Sequence, residues 1–342
     1  MFRGNQQQSG VSPGPLPEKL RVAWTAEFKE PIVSTAAIVD GIVYVGGDDM
    51  GLHALDLETG REKWTFKAAE AIRSAPLVHD RVVYFGDQEG NFYAISAAEG
   101  TEKWKFKTEA EIISSANHGE GRIVVGSYDG FVYCLSMADG SLAWKFETAG
   151  RVHGSPAVSG DNVIVAGCDE YLHVLRLSDG ESVRKVSMDS VSGASAAVGG
   201  SRAFVGTYGN AVLGLDWKEG SVLWRFSDPQ RQFPFMASAA VVDEAVFVAG
   251  RDKHVYSLDA KTGRPSWSFA TDGRIDSSPV VVGDRIFLGS GDGNLYAIHR
   301  ATGKEAWRYE TGAPISASPA VGAGRLVIGN EDGVLFCFAA DN

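Results

Sequence analysis

Polar and apolar residues alternate through most of this chain in short runs, and the runs come in groups of four. Around Trp64 they are Lys63 to Lys67, Ser74-Ala75-Pro76-Leu77-Val78, Val82 to Gly86 and Asn91 to Ser96, each of strand length. Turn signals such as Asp129-Gly130, Asp292-Gly293 and Asp332-Gly333 separate such runs, so the pattern predicts antiparallel hairpins. The meander then repeats. Turn glycines fall at Gly60, Gly100, Gly140, Gly180, Gly220, Gly263 and Gly303, 40 residues apart except for the 43 from Gly220 to Gly263. A tryptophan follows four residues later at Trp64, Trp104, Trp144, Trp224, Trp267 and Trp307. A period of about 40 with four strands per unit is that of a propeller blade, and no unit carries a helical pattern.

Counting the units decides how the ring shuts. Inner-strand segments begin near Ser34, Ser74, Ser114, Gly154, Ala194, Ala237, Ser277 and Ala317, and outer strands at positions 24, 64, 104, 144, 184, 224, 267 and 307. Each set has eight members, but the first outer strand precedes any inner segment and the last inner segment has no outer strand after it. The chain is therefore expected to be all-β, a single eight-bladed β-propeller of four-stranded antiparallel blades, closed by the N-terminal strand around Trp24 joining the last blade. Residues 1–20 are expected to stand outside the repeat and residues 21–342 to form the propeller.

Small residues make up 29 of the 32 positions in the four-residue windows that open the inner strands, as expected where eight strands converge. Seven second positions carry a hydroxyl, at Thr35, Ser115, Ser155, Ser195, Ser238, Ser278 and Ser318, with Ala75 the exception. Either these form a polar ring around a wet channel, or they are small side chains filling crowded space. The tryptophans are expected to pack between adjacent sheets. Arg184 occupies the fifth tryptophan position, so blade 5 is expected to be the least tightly docked. Cys134 and Cys337 fall on a small inward strand position in blades 3 and 8, and Cys168 on a loop position, which predicts three free thiols.

A formal charge of −11 argues against nucleic acid as a partner, because neutralising phosphates needs clustered Lys and Arg. No apolar run approaches the ~18 residues of a membrane span. Acidic residues recur at Asp49, Glu89, Asp129, Asp169, Asp252, Asp292 and Asp332, but one per blade around a wide ring does not converge on one ion, so they read as turn residues. His53 and His173 share a position with Tyr93, Tyr133, Tyr256 and Tyr296, which reads as packing. Neither a metal centre, a cofactor nor a catalytic residue is expected.

The pattern Ala54-Leu55-Asp56-x-x-Thr59-Gly60-x-x-x-Trp64, with Ser277-Ser278-Pro279-Val280-Val281 and Gly-Ser-x-Asp-Gly segments, resembles the repeat of pyrroloquinoline-quinone-type propellers over essentially the whole chain. Met1-Phe2-Arg3-Gly4-Asn5 followed by Gly10 resembles the lead-in of bacterial members, where it lies inside the precursor. That resemblance implies a periplasmic or otherwise exported protein whose signal sequence has been removed; a cytoplasmic place follows if Met1 is the native start.

The family contains quinone-dependent alcohol and sugar dehydrogenases, with a calcium site, a catalytic aspartate and, often, adjacent cysteines. It also contains the compact BamB type, a scaffold for protein partners. Here no two cysteines adjoin, no Cys-x-x-Cys-His motif occurs and the loops are short, so the resemblance implies a monomeric, non-catalytic, BamB-like scaffold for a protein partner or small ligand. A quinone-dependent dehydrogenase, or a ligand-sensing module of a larger receptor or kinase, are the alternatives.

One face of the ring is the expected binding face. The residues just before the inner strands, Val33, Arg73, Ile113, His153, Gly193, Met236, Asp276 and Ser316, are expected to ring a funnel mouth. The three extra residues of the sixth repeat lie on the same face, in Ser227 to Met236, and bring Arg231, Phe233, Phe235 and Met236 into one loop opposite Tyr208. Aromatic, Arg and Met residues are enriched in interfaces, so this loop is the expected partner spot; the alternative is that its phenylalanines tuck back onto blades 5 and 6.

Overall fold

A computed structural model describes residues 2–12 and 14–341. The alternating runs form four-stranded antiparallel sheets, eight among the described residues. Seven are consecutive in sequence, blades 1 to 7, at residues 37–67, 77–107, 117–147, 157–187, 197–226, 240–270 and 280–310. The eighth takes Ala320–Gly322, Arg325–Gly329 and Val334–Ala340 from the end of the chain and Leu20–Glu27 from its beginning. Leu20–Glu27 pairs antiparallel with Val334–Ala340, and Trp24 stands opposite Cys337. The ring is closed as the order of strands predicted.

The tryptophans join each blade to the next. The indole N–H of Trp24 donates to the Leu57 carbonyl at 2.8 Å, Trp64 to Ala97 at 3.2 Å, Trp104 to Met137 at 3.2 Å and Trp144 to Leu177 at 2.8 Å. Trp224 and Trp267 repeat this on Ala260 and Arg300, both at 3.0 Å. Each ring also lies flat against the next turn glycine. At Gly60, whose φ of +70° already favours glycine, an added Cβ would stand 2.6 Å from the Trp24 ring. Trp307 faces the composite eighth blade instead, edge-on to Phe338 with ring centroids 5.5 Å apart.

The blade 4–blade 5 junction solves the same problem with different atoms. Arg184 Nε donates to the Lys218 carbonyl at 3.2 Å, which keeps the hydrogen bond. The missing aromatic volume is supplied from the other side by Trp217, 5% exposed and packed in one core cluster with Val174 and Val186. In the other repeats this position is Leu57, Ala97, Met137, Leu177, Ala260 or Arg300. The loose docking expected of blade 5 from Arg184 alone left out this exchange.

The turn acids and the tyrosine-position residues form pairs. Tyr133 donates to Asp129 at 2.8 Å, Tyr296 to Asp292 at 3.0 Å, and His173 Nε2 meets Asp169 at 2.8 Å. In blade 2 the acceptor is Asp87 rather than Glu89, bonded by Tyr93 at 3.0 Å. Burial, with the bond to a negatively charged aspartate, raises Tyr133 and Tyr296, the latter to about 12. All three cysteines are free, with Cys134 and Cys337 buried. Among the described residues no helix is long and apolar enough to cross a membrane.

The segment before the first strand runs around the axis at the end of the inner strands away from the predicted mouth. The carbonyls of Gln6, Gln7, Ser9 and Gly10 accept the N–H groups of Val158, Val198, Val241 and Val281, one for each of blades 4 to 7. Arg3 is buried inside this arc, donating to the carbonyls of Pro279 at 2.7 Å, Ser238 at 3.2 Å and Ala239. Burial depresses its guanidinium.

Candidate functional site

At the other end of the axis, the eight residues that precede the inner strands do converge. Val33, Arg73, Ile113, His153, Gly193, Met236, Asp276 and Ser316 all line one axial cavity of about 170 Å³ with Phe2 of the N-terminal segment. Short connections in each blade bring them there. The peptide before each inner strand crosses the next hairpin turn and receives its N–H, as Pro31 does from Asp48, Arg151 from Cys168 and Val191 from Tyr208.

The hydroxyl ring within the cavity is neither free polar lining nor mere filler. Ser115 Oγ accepts the Ala75 N–H at 2.9 Å, Ser155 that of Ser115 at 2.8 Å and Ser195 that of Ser155 at 2.9 Å. Ser238, Ser278, Ser318 and Thr35 continue the series at 3.0 to 3.3 Å. Each hydroxyl therefore satisfies a backbone donor of the neighbouring blade, and Ala75 is the one break in the circle. The crowding predicted at the axis is real, and the hydroxyls bind the blades together within it.

Above this ring the mouth divides into two halves. Around Asp48 and Asp276 it is charged. Arg73 grips Asp48 in a two-pronged contact at 2.8 and 3.0 Å, which raises its pKa further. Asp276 accepts from Arg251 at 2.6 Å and lies 3.2 Å from Arg274. Across the axis the mouth is aromatic. The Tyr128 hydroxyl is hydrogen-bonded to His153 Nδ1, and the Arg151 guanidinium lies 5.1 Å from the Tyr128 ring centroid. Burial lowers His153 below the usual imidazole value and raises Tyr128 to about 12.

The loop of the extra residues stands beside the aromatic half. Asp228 and Arg231 close it with an antiparallel bridge and an ion pair at 2.6 Å. Phe233 is 52% exposed and Tyr208 is 43% exposed. Tyr208 and Met236 meet over Gly193, where an added Cβ would stand 3.1 Å from Met236 Cε and 3.4 Å from the Tyr208 hydroxyl. Phe235 does not belong to this surface. It is 1% exposed, wedged against Phe226 and Tyr256 with centroids 6.3 and 6.0 Å away. Phe235 is anchored by its own N–H, which donates to the Thr207 carbonyl at 3.1 Å, and tucks onto blades 5 and 6, while Phe233, on the other side of Pro234 in this irregular stretch, faces out.

Sequence reasoning passed over Asp48, Tyr128, Arg151 and Arg251. The signal lay in the repeat register: Tyr128, Arg251 and Asp48 hold the hairpin position of Tyr208, and Arg151 stands two residues before His153.

A calcium-held quinone bearing several carboxylates would need a trio of metal-binding side chains and free cations. Arg73 and Arg251 are each bound to an aspartate, and no group of three His, Cys, Asp or Glu that could hold a metal occurs among the described residues. The residues of the mouth do not fit that group.

An eight-bladed ring of PQQ-like repeats with short connections and a divided polar and aromatic mouth defines the class. A family profile described as outer membrane protein assembly factor BamB matches residues 20–119, 114–230 and 210–342, and the chain belongs to that family. No curated protein compared by sequence matches. Among solved structures, BamB from Moraxella catarrhalis is similar with a TM-score of 0.79 at 17% identity, over 94% of this chain and 100% of that one. A europium-containing methanol dehydrogenase gives 0.84 at 13% identity, over 99% and 97%. The computationally designed Ika8 protein gives 0.82 at 16% identity, over 92% and 98%. Structures this far apart in sequence share the fold; function has to be argued from the mouth.

Proposed function

We propose that this chain is a non-catalytic scaffold of the cell envelope, exported and monomeric, that holds a protein partner at the funnel mouth. Tyr208, Phe233 and Met236 form the apolar contact, and Arg73, Arg231, Asp276 and His153 flank it. The observation that carries this reading is the exposure of Phe233 and Tyr208 beside a mouth whose central charges are already paired. Exposed aromatic anchors rimmed by neutralised charge suit a protein surface. The family's description points to a partner from the machinery that assembles outer-membrane proteins.

The test is co-purification from the native cell envelope. Outer-membrane assembly proteins should accompany the unaltered chain and be lost when Tyr208→Ala, Arg231→Ala and Phe233→Ala are combined. Undiminished capture by the triple variant counts against the mouth. A dehydrogenase would declare itself separately, by dye reduction with an alcohol or sugar once quinone and calcium are added; the scaffold reading expects none.

A further inference from the structure

On the face away from the mouth, the N-terminal arc caps four blades and then leaves the ring. Val158, Val198, Val241 and Val281 turn their N–H groups to the axis, and chain carbonyls accept them. Ile38 and Val321 hold the same position in blades 1 and 8, since the pairings Ile38↔Val43 and Val321↔Leu326 repeat Val158↔Val163. Before reaching them the segment turns away at Ser12, whose N–H donates to Val281.

Ile38 and Val321 face a cavity of about 260 Å³ that Arg3 and Ser12 also line. Its polar groups are unbalanced. Arg3 is 5% exposed and its Nε has no partner among the described residues; the Ser12 hydroxyl is likewise buried without one there. Among the described residues no carboxylate lines the cavity, so a buried cation stands among dipoles and spare donors. An anionic acceptor would satisfy them, as chain carbonyls do in blades 4 to 7. A single ion would leave most of this space unfilled, given a water's share of about 30 Å³. Phe2, Val11 and Val280 give the wall an apolar stretch, and the hydroxyl residues Thr35 and Ser318 line it elsewhere.

We propose that this cavity binds a small organic carboxylate with an apolar body, its carboxylate at Arg3 and Ser12 and its hydrocarbon against Val11 and Val280. The test is a titration of the full chain with isovalerate, followed by amide NMR, with inorganic phosphate in parallel. Isovalerate should shift Gly4, Ile38 and Val321 saturably. Ser12→Ala should weaken binding by about three- to tenfold, the loss expected for one hydrogen bond. Arg3→Gln should weaken it further, but it also removes bonds that seat the segment. Ser12→Ala, which removes a hydroxyl without a partner among the described residues, is therefore the deciding variant. Unmoved amides, equal affinity in Ser12→Ala, or saturation by phosphate alone would each overturn the assignment.

Discussion

Trp24 and Cys337 face each other across one antiparallel ladder, although they come from opposite ends of the chain. The same tryptophan reaches forward to the Leu57 carbonyl of blade 1, so the first strand completes blade 8 and docks it onto its neighbour. Deleting residues 1–30 removes Leu20, Val22 and Trp24 from the core. At ~1.5–3 kcal/mol for each large apolar side chain, the loss is about 5–10 kcal/mol. Thermal unfolding followed by circular dichroism should show the truncated chain far less stable or unfolded. A melt equal to that of the full chain would contradict the closure.

Trp217 is the residue on which the blade 4–blade 5 junction depends. Trp217→Ala should cost about 3–5 kcal/mol, as for other buried aromatics cut to alanine. Restoring the usual pair with Arg184→Trp in that background should recover part of the loss, since the other repeats pair a tryptophan with a smaller residue. Hydrogen exchange should show blade 5 as protected as its neighbours in the unaltered chain and first to open in Trp217→Ala. Early opening of blade 5 in the unaltered chain would mean that the exchange is incomplete.

Phe233 and Phe235 separate surface from core within three residues. Phe235→Ala should lower stability by about 3–5 kcal/mol. Phe233→Ala should stay within about 0.5 kcal/mol of the unaltered chain, because its ring is mostly in solvent. Urea denaturation of the two variants tests the division, and similar losses for both would refute it.

Burial lowers both His118 and His153, so the fold prefers their neutral forms. The unfolded chain then binds protons more readily, and stability rises with pH across this range. The contribution is present above the ordinary histidine value of about 6.5 and is lost as pH falls through the lower folded-state values. Melting temperature should decline below about pH 6.5, and His153→Gln should flatten the decline. An unchanged slope in that variant would remove His153 from the account.

How much of this was legible follows from what each contact is made of. The ring, its closure and the tryptophan junctions are written in side chains that recur every 40 residues. Trp217 was missed because its role appears only against Arg184, a change in the preceding blade. The axial hydroxyls were seen but half understood, since their partners are backbone N–H groups one blade away. The N-terminal arc was invisible for the same reason: Gln6, Gln7, Ser9 and Gly10 act through carbonyls that any residue supplies. At the mouth, repeat register found the ring of eight, but the orientations of Phe233 and Phe235 depend on an irregular loop path around Pro234 that no periodic pattern encodes.

Site-specific photo-crosslinking in native cells distinguishes a partner held at the mouth from one held on the rim. A photoreactive residue at 208 or 233 should capture an outer-membrane assembly protein. The same group at Leu142 or Leu223, both 45% exposed on outer strands, should not. Capture from those outer strands with none from the mouth would place the partner on the propeller's rim and contradict the account.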